Sequence, residues 1–289
     1  MENRKFIAIT VFTFALLCSC KDKETIPIDH NTYYPSSNFS FALSAGQVES
    51  MSHDILITSL NFAYDTSLWH ISGYPIVTVT SSTGYPRTIT VDFGNSDTTT
   101  LLHTTIGDLR TRSGILSITL SDDWHNIGAI TTITATSLCL SKMMTFTGNI
   151  EFANRGLQNF QSGQCYAFDF VTNNATINVN NSTSFQYDAT KIYYLTSGDT
   201  STTLTDDVFQ IFGSSNATKD SNNIEIEILG PYLAPHSCFW FKSGNASLKE
   251  NTIKRTLSFE NSNCSPIAYI YFKTHEDSPS EMKRYIDLP

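Results

Sequence analysis

Apolar and polar residues alternate with a period of two along most of the chain. In the first half Phe39, Phe41 and Leu43 alternate, residues 55–64 form a mostly apolar run, and 76–80 and 88–93 follow. In the second of these, Ile89, Val91 and Phe93 share a face. The segments 115–120, 130–136 and 145–152 continue the pattern. In the second half it returns at 165–171, 176–179, 191–195, 208–212, 224–229, 238–242, 253–259, 267–273 and 285–288. Turn residues separate these runs: Ser72-Gly73, Gly84-Tyr85-Pro86, Gly94-Asn95, Arg112-Ser113-Gly114, Gly128, Asn173-Asn174 and Asn180-Asn181. Side chains of an extended strand point alternately to its two faces, so each run reads as a strand with one buried side. In 224–229, Ile224, Ile226 and Ile228 belong inside and Glu225 and Glu227 in water. No window shows the period of an amphipathic helix. The pattern predicts an all-β chain of two antiparallel β-sandwich domains in tandem.

A short internal echo supports two related halves. Arg87-Thr88-Ile89-Thr90-Val91-Asp92 matches Arg255-Thr256-Leu257-Ser258-Phe259-Glu260 in type and order. The boundary is expected between 158 and 159, giving a first domain over 38–158 and a second over 159–289.

The N-terminus breaks the alternation. Arg4 and Lys5 precede an apolar run over 6–17 that is interrupted only by Thr10 and Thr13. A basic start, a short apolar stretch and small residues before a cut describe an export signal. The run is too short to cross a bilayer, which takes about 20 residues. Leu17-Cys18-Ser19-Cys20 then resembles a bacterial lipobox, which implies cleavage after residue 19 and acylation of Cys20. Each buried methylene of an acyl chain contributes about 0.8 kcal/mol, so several chains such as palmitate hold a protein at a membrane where one does not. Lys21-Asp22-Lys23-Glu24 resembles the charged tetrapeptide that sends Bacteroidota lipoproteins to the outer face of the outer membrane. Residues 20–37 read as the lipidated Cys and a tether, interrupted by Pro27 and Pro35.

Charge narrows the partners. The chain has 18 basic and 27 acidic residues, and removing the signal leaves 16 and 26, a net charge near −10. Nucleic acid, whose phosphates demand a basic footprint, is excluded as a partner. The expected partners are outer-membrane lipid, through acylated Cys20, and a glycan or an envelope protein.

Besides Cys18 of the signal and the acylated Cys20 there are four cysteines: Cys139, Cys165, Cys238 and Cys264. Exported proteins carry disulfides, and four cysteines allow three connectivities. Cys238 and Cys264 flank a predicted strand pair, so a disulfide is expected between them. No Cys or His spacing suits a metal, and no cofactor is expected.

Candidate chemistry is sparse. The seven histidines are scattered, no nucleophile elbow or phosphate loop occurs, and Asp122-Asp123 and Asp206-Asp207 are adjacent pairs that suit turns. No enzyme is expected. Asp123-Trp124-His125 falls in a turn, where Trp124 is a candidate to stack on a sugar ring. Trp69 and Trp240, flanked by apolar residues, read as core. Arg110 and Arg112 read as a surface latch in a turn beside Asp108. Asp97-Thr98-Thr99 resembles the O-glycosylation acceptor of Bacteroidota lipoproteins, with Thr98 as the modified residue.

A wider resemblance covers most of the mature chain. Residues 85–94, Arg110-Thr111-Arg112-Ser113-Gly114, Phe146-Thr147-Gly148-Asn149, residues 206–213 and Cys238-Phe239-Trp240 are similar to uncharacterised Bacteroidota surface lipoproteins. That resemblance implies location and a β fold, and no activity. The expected function is a surface-anchored binding or structural role in the cell envelope. The alternatives are a glycan-binding module for nutrient capture and a hydrolase with a loop-assembled site.

Overall fold

The computed structural model describes residues 37–70, 75–80, 83–95, 100–101, 110–161, 163–180, 183–198, 204–220, 222–251, 253–260, 264–273 and 281–288. Cys20, Lys21, Asp22, Lys23, Glu24, the tether up to residue 36 and Thr98 lie outside these residues.

The described chain opens with a helix. Helix α1 spans Ser37–Tyr64, a 28-residue element, followed by a 3-10 turn at Thr66–His70. This corrects the expectation of strands at 39–43 and 55–64. The physical reason is burial on every side: Ala42, Val48, Met51, Ile55, Leu56, Ile57, Leu60 and Phe62 are all fully buried. A helix enclosed by protein can aim its polar residues at partners on any side, as Glu49, His53, Asp54 and Asn61 do here, so it leaves no amphipathic period to detect. The run Ile55-Leu56-Ile57-Thr58, three of its four residues β-branched, further imitates a strand.

Every other long element is a strand. In order they are β1 (Ile76–Val79), β2 (Arg87–Asp92), β3 (Thr100–Leu101), β4 (Thr111–Leu120), β5 (Ile130–Leu140), β6 (Met144–Phe160) and β7 (Gly163–Val179). Then come β8 (Thr183–Ser197), β9 (Val208–Lys219), β10 (Asn222–Pro235), β11 (Ser243–Glu250), β12 (Ile253–Glu260), β13 (Ile267–Lys273) and β14 (Glu281–Asp287). Each pairs antiparallel with its sequence neighbour in one sheet, except that β2 pairs with β4 and the short β3 joins β4 from the side. The all-β class is thus correct apart from α1.

The described strands form a single sheet, where two sandwiches were expected. The expected boundary at 158/159 falls inside the β6–β7 hairpin, whose pairing runs from Met144↔Val179 to Phe160↔Gly163. A tight hairpin joining two long strands leaves no seam there. Ile224, Ile226 and Ile228 of β10 are buried and Glu225 and Glu227 exposed, as the alternation requires. The two echoing hexapeptides coincide with β2 and β12.

Two expected turns, Arg112-Ser113-Gly114 and Asn173-Asn174, are bulges within longer strands. Gly114 interrupts β4 where the register with β5 shifts between Ser113 and Ile115. Its φ is +94°, and a Cβ there would lie 2.3 Å from the Ser137 carbonyl oxygen. Bulges of this kind sharpen the twist of a sheet, and this sheet curls around α1. Gly46 of α1 lies close to Leu257 of β12 and Ile286 of β14, while Phe62 meets Phe93, just beyond β2, at 5.9 Å.

Candidate functional site

Inside the curled sheet, α1 carries a seam of polar residues. Glu49, Ser50, Ser52, His53, Asp54, Thr58, Ser59 and Asn61 are all buried. Burying charge is costly unless it is paired and hydrogen-bonded. Three groups of partners meet that demand.

The first surrounds Glu49. Lys191 of β8 places Nζ 2.9 Å from Glu49 Oε2, both side chains being fully buried. The Tyr187 hydroxyl donates to Glu49 Oε1 at 2.8 Å, and the Ser215 hydroxyl of β9 donates to the same oxygen. Lys191 Nζ also donates to the Tyr187 hydroxyl at 3.1 Å, and Ser52 Oγ donates to the Glu49 carbonyl at 2.9 Å. Burial, and next the neighbouring Glu49 carboxylate, push the Tyr187 phenol well above its ordinary range, so it stays a donor.

The second group surrounds Asp54. Arg112 of β4 places Nη2 2.8 Å from Asp54 Oδ1, and Arg110 pairs with the same oxygen. Two guanidinium groups face one carboxylate, and aromatic rings take up the excess positive charge. Arg110 lies 4.6 Å from the Phe239 ring centroid and 4.7 Å from that of Trp240, and Arg112 lies 5.3 Å from Phe239. The expectation of a surface latch is therefore corrected: Arg112 is 1% exposed and grips the helix.

The third group joins α1 to residues 236–242. His236 Nε2 lies 3.0 Å from Asn61 Oδ1, and the His53 ring lies 4.6 Å from that of Phe241. Burial lowers the pKa of both histidines to about 3. For His53 the charges of Lys191, His236 and Arg110 add to the effect, while the Cys238 backbone opposes it. Both rings are neutral.

Residues 236–242 were expected to include a strand at 238–242. They form a buried loop between β10 and β11, with Cys238, Phe239 and Phe241 almost fully enclosed. The Cys238–Cys264 disulfide, expected from the sequence, fastens it, with the Cα atoms 5.6 Å apart. Cys139 and Cys165 are thiols on β5 and β7, separated by β6. The disulfide holds the loop that carries Phe239 and Trp240 to the arginines and His236 to the helix.

The turn at 122–125 lies where exposure was expected, but Trp124 is buried at 3% exposure. Its ring packs 5.1 Å from Phe168 and 5.8 Å from Tyr64 at the end of α1, and the Asn154 amide donates to its carbonyl at 2.6 Å. A ring enclosed in this way has no face for a sugar, which corrects its assignment as a glycan contact. In that turn Asp122 and His125 are exposed, and the half-buried Asp123 joins His125 at 2.7 Å between Oδ1 and Nδ1. Burial opposes ionisation of Asp123, but hydrogen bonds from the His125 backbone and ring outweigh it and hold its carboxyl below the usual range. Trp69 and Trp240 pack against the core, as expected, and stay partly exposed.

Among the described residues no cluster of three or more His, Cys, Asp or Glu is placed to hold a metal, and no helix is long and apolar enough to cross a membrane. In the seam each carboxylate is engaged by cations, Glu49 by Lys191 and Asp54 by Arg110 and Arg112. Comparison with protein-family models, curated proteins and solved structures returns no match. The seam had a faint signal in the sequence: Ser37–Tyr64 contains no proline, no Lys or Arg, and only Glu49 and Asp54 as charges.

Proposed function

We propose that this chain is a surface-anchored bacterial lipoprotein with a binding or structural role in the cell envelope. The observation that carries the reading is the closure of the interior. Glu49 pairs with Lys191 and Asp54 with Arg112, all four buried, so these charges of the core hold the helix. Function then falls to the outer face and edges of the sheet. The lipobox-like Leu17-Cys18-Ser19-Cys20 and the charged Lys21-Asp22-Lys23-Glu24 support display at the outer membrane. A β body on a lipidated tether suits presentation of a surface to a partner, and β14, an edge of the sheet among the described residues, offers backbone groups for strand addition.

The test is membrane fractionation with palmitate labelling of the wild-type chain and of Cys20→Ala. Wild type is expected in the membrane fraction and labelled, and the variant is expected to be soluble and unlabelled. A variant that stays with the membrane, or a wild type without label, contradicts the anchor. A glycan-binding role no longer rests on Trp124 and needs a different surface.

A further inference from the structure

The outer face of the sheet is mostly Thr, Asn and charged residues, with two aromatic groups among the described residues: Tyr269, Tyr271 and Tyr285 around Lys283 on β13 and β14, and three mutually packed rings on β6, β8 and β9. We propose that Phe160, Tyr194 and Phe212 form a binding platform for a neutral glycan chain. This rests on the binding reading above and names its ligand class.

Tyr194 alternates with the buried Tyr193 and Leu195 along β8, and Phe212 alternates with the buried Phe209 and Ile211 along β9, so both point outward. Phe160, at the end of β6, stacks on Tyr194 with ring centroids 4.4 Å apart and planes at 24°. Phe212 stands edge-on to both, at 5.9 Å from Phe160 and 5.8 Å from Tyr194. The three rings stand apart from the core cluster and hold each other in place. Leu229, 60% exposed, sits in the β10 bulge opposite Phe212 and extends the apolar surface.

The surroundings choose the ligand. Gln210 lies directly opposite Tyr194, and Gln158 opposite Cys165, on the same outward side. The nearby Arg155 and Asp169 pair at 3.3 Å and cancel in charge. The platform therefore joins aromatic surface to carboxamides with no net charge. A sugar ring has the matching chemistry, with C–H faces for the rings and hydroxyls for the amides. An anionic polymer or an anionic membrane would call for basic residues instead. Rings already ordered by mutual stacking lose little freedom on binding, which favours affinity from a small contact.

The experiment is native electrophoresis of the purified full chain in gels containing starch, mannan, β-glucan or polygalacturonate. Retardation is expected in at least one neutral gel and not in polygalacturonate. The double variant Tyr194→Ala/Phe212→Ala is expected to lose at least 10-fold in affinity. Gln158→Glu/Gln210→Glu, which keeps the rings, is expected to weaken binding as well and decides the matter if the first variant does not fold. The proposal is overturned by free migration in all three neutral gels, or by retardation in polygalacturonate alone. It is equally overturned by retardation unchanged in both variants, or by a concentration-dependent dimer that the same variants abolish. None of these outcomes bears on membrane fractionation, so failure here is distinct from failure of the anchor.

Discussion

The seam along α1 and the aromatic cluster outside the sheet each reverse the usual placement of residues. The seam puts carboxylates, a lysine and two arginines inside, and the cluster puts three aromatic rings outside. They differ in how completely their chemistry is met. In the seam, Glu49 and Asp54 have cations at ion-pair distance and rings over the arginines. Outside, the rings satisfy one another only in part and leave apolar surface facing water. Buried ion pairs specify structure, because a helix placed otherwise would leave Glu49 and Asp54 without their cations. Chemistry left open is available to a ligand.

The contrast can be broken most forcefully from the inside. Lys191→Met leaves Glu49 buried without its cation and is expected to destabilise the fold by about 3–5 kcal/mol, read as a shift in the urea midpoint. Glu49→Leu/Lys191→Met removes both charges and is expected to recover much of that loss. A single variant with an unchanged midpoint would mean that the pair contributes nothing to holding α1.

A milder probe is pH. His53 and His236 have folded pKa values of about 3, below the ordinary value of about 6.5. The unfolded chain therefore takes up protons first as pH falls. Their contribution to stability is complete above about 6.5 and drains away as pH drops toward 3, by up to about 1.4 kcal/mol per pH unit for each histidine. Urea midpoints at pH 7 and pH 5 are expected to fall accordingly. His53→Phe/His236→Gln is expected to flatten that dependence, and an unchanged slope would place the effect elsewhere.

The smallest effect belongs outside. Tyr194→Ala removes one stacked and one edge-on contact, worth about 1 kcal/mol. It is expected to lower the thermal midpoint by a few degrees while leaving the fold intact. Loss of folding in this variant would make the cluster part of the framework rather than a surface for a ligand.

The two regions also mark what the sequence could reveal. Half-buried strands announce themselves, since Ile224, Ile226 and Ile228 alternate with glutamates that must reach water. Helix α1 does not, because an element surrounded by protein turns its polar residues toward buried partners on several sides and shows no single polar stripe. The disulfide could be expected from the strand pair between Cys238 and Cys264. The partners of Glu49 and Asp54 could not, since Lys191 and Arg112 lie 142 and 58 positions further along the chain and nothing local couples them. Trp124 was misjudged because a turn normally faces solvent, whereas this one folds its ring over the end of α1.

Hydrogen exchange of the α1 amides in wild type and Lys191→Met measures most directly whether buried ion pairs hold the helix inside the sheet. The expected result is that amides 49–61 of the wild type exchange only through global unfolding, with Lys191→Met accelerating them by the full loss in stability. Rapid exchange of those amides in the wild type, or rates unaltered by the substitution, would contradict a helix clamped by its polar seam.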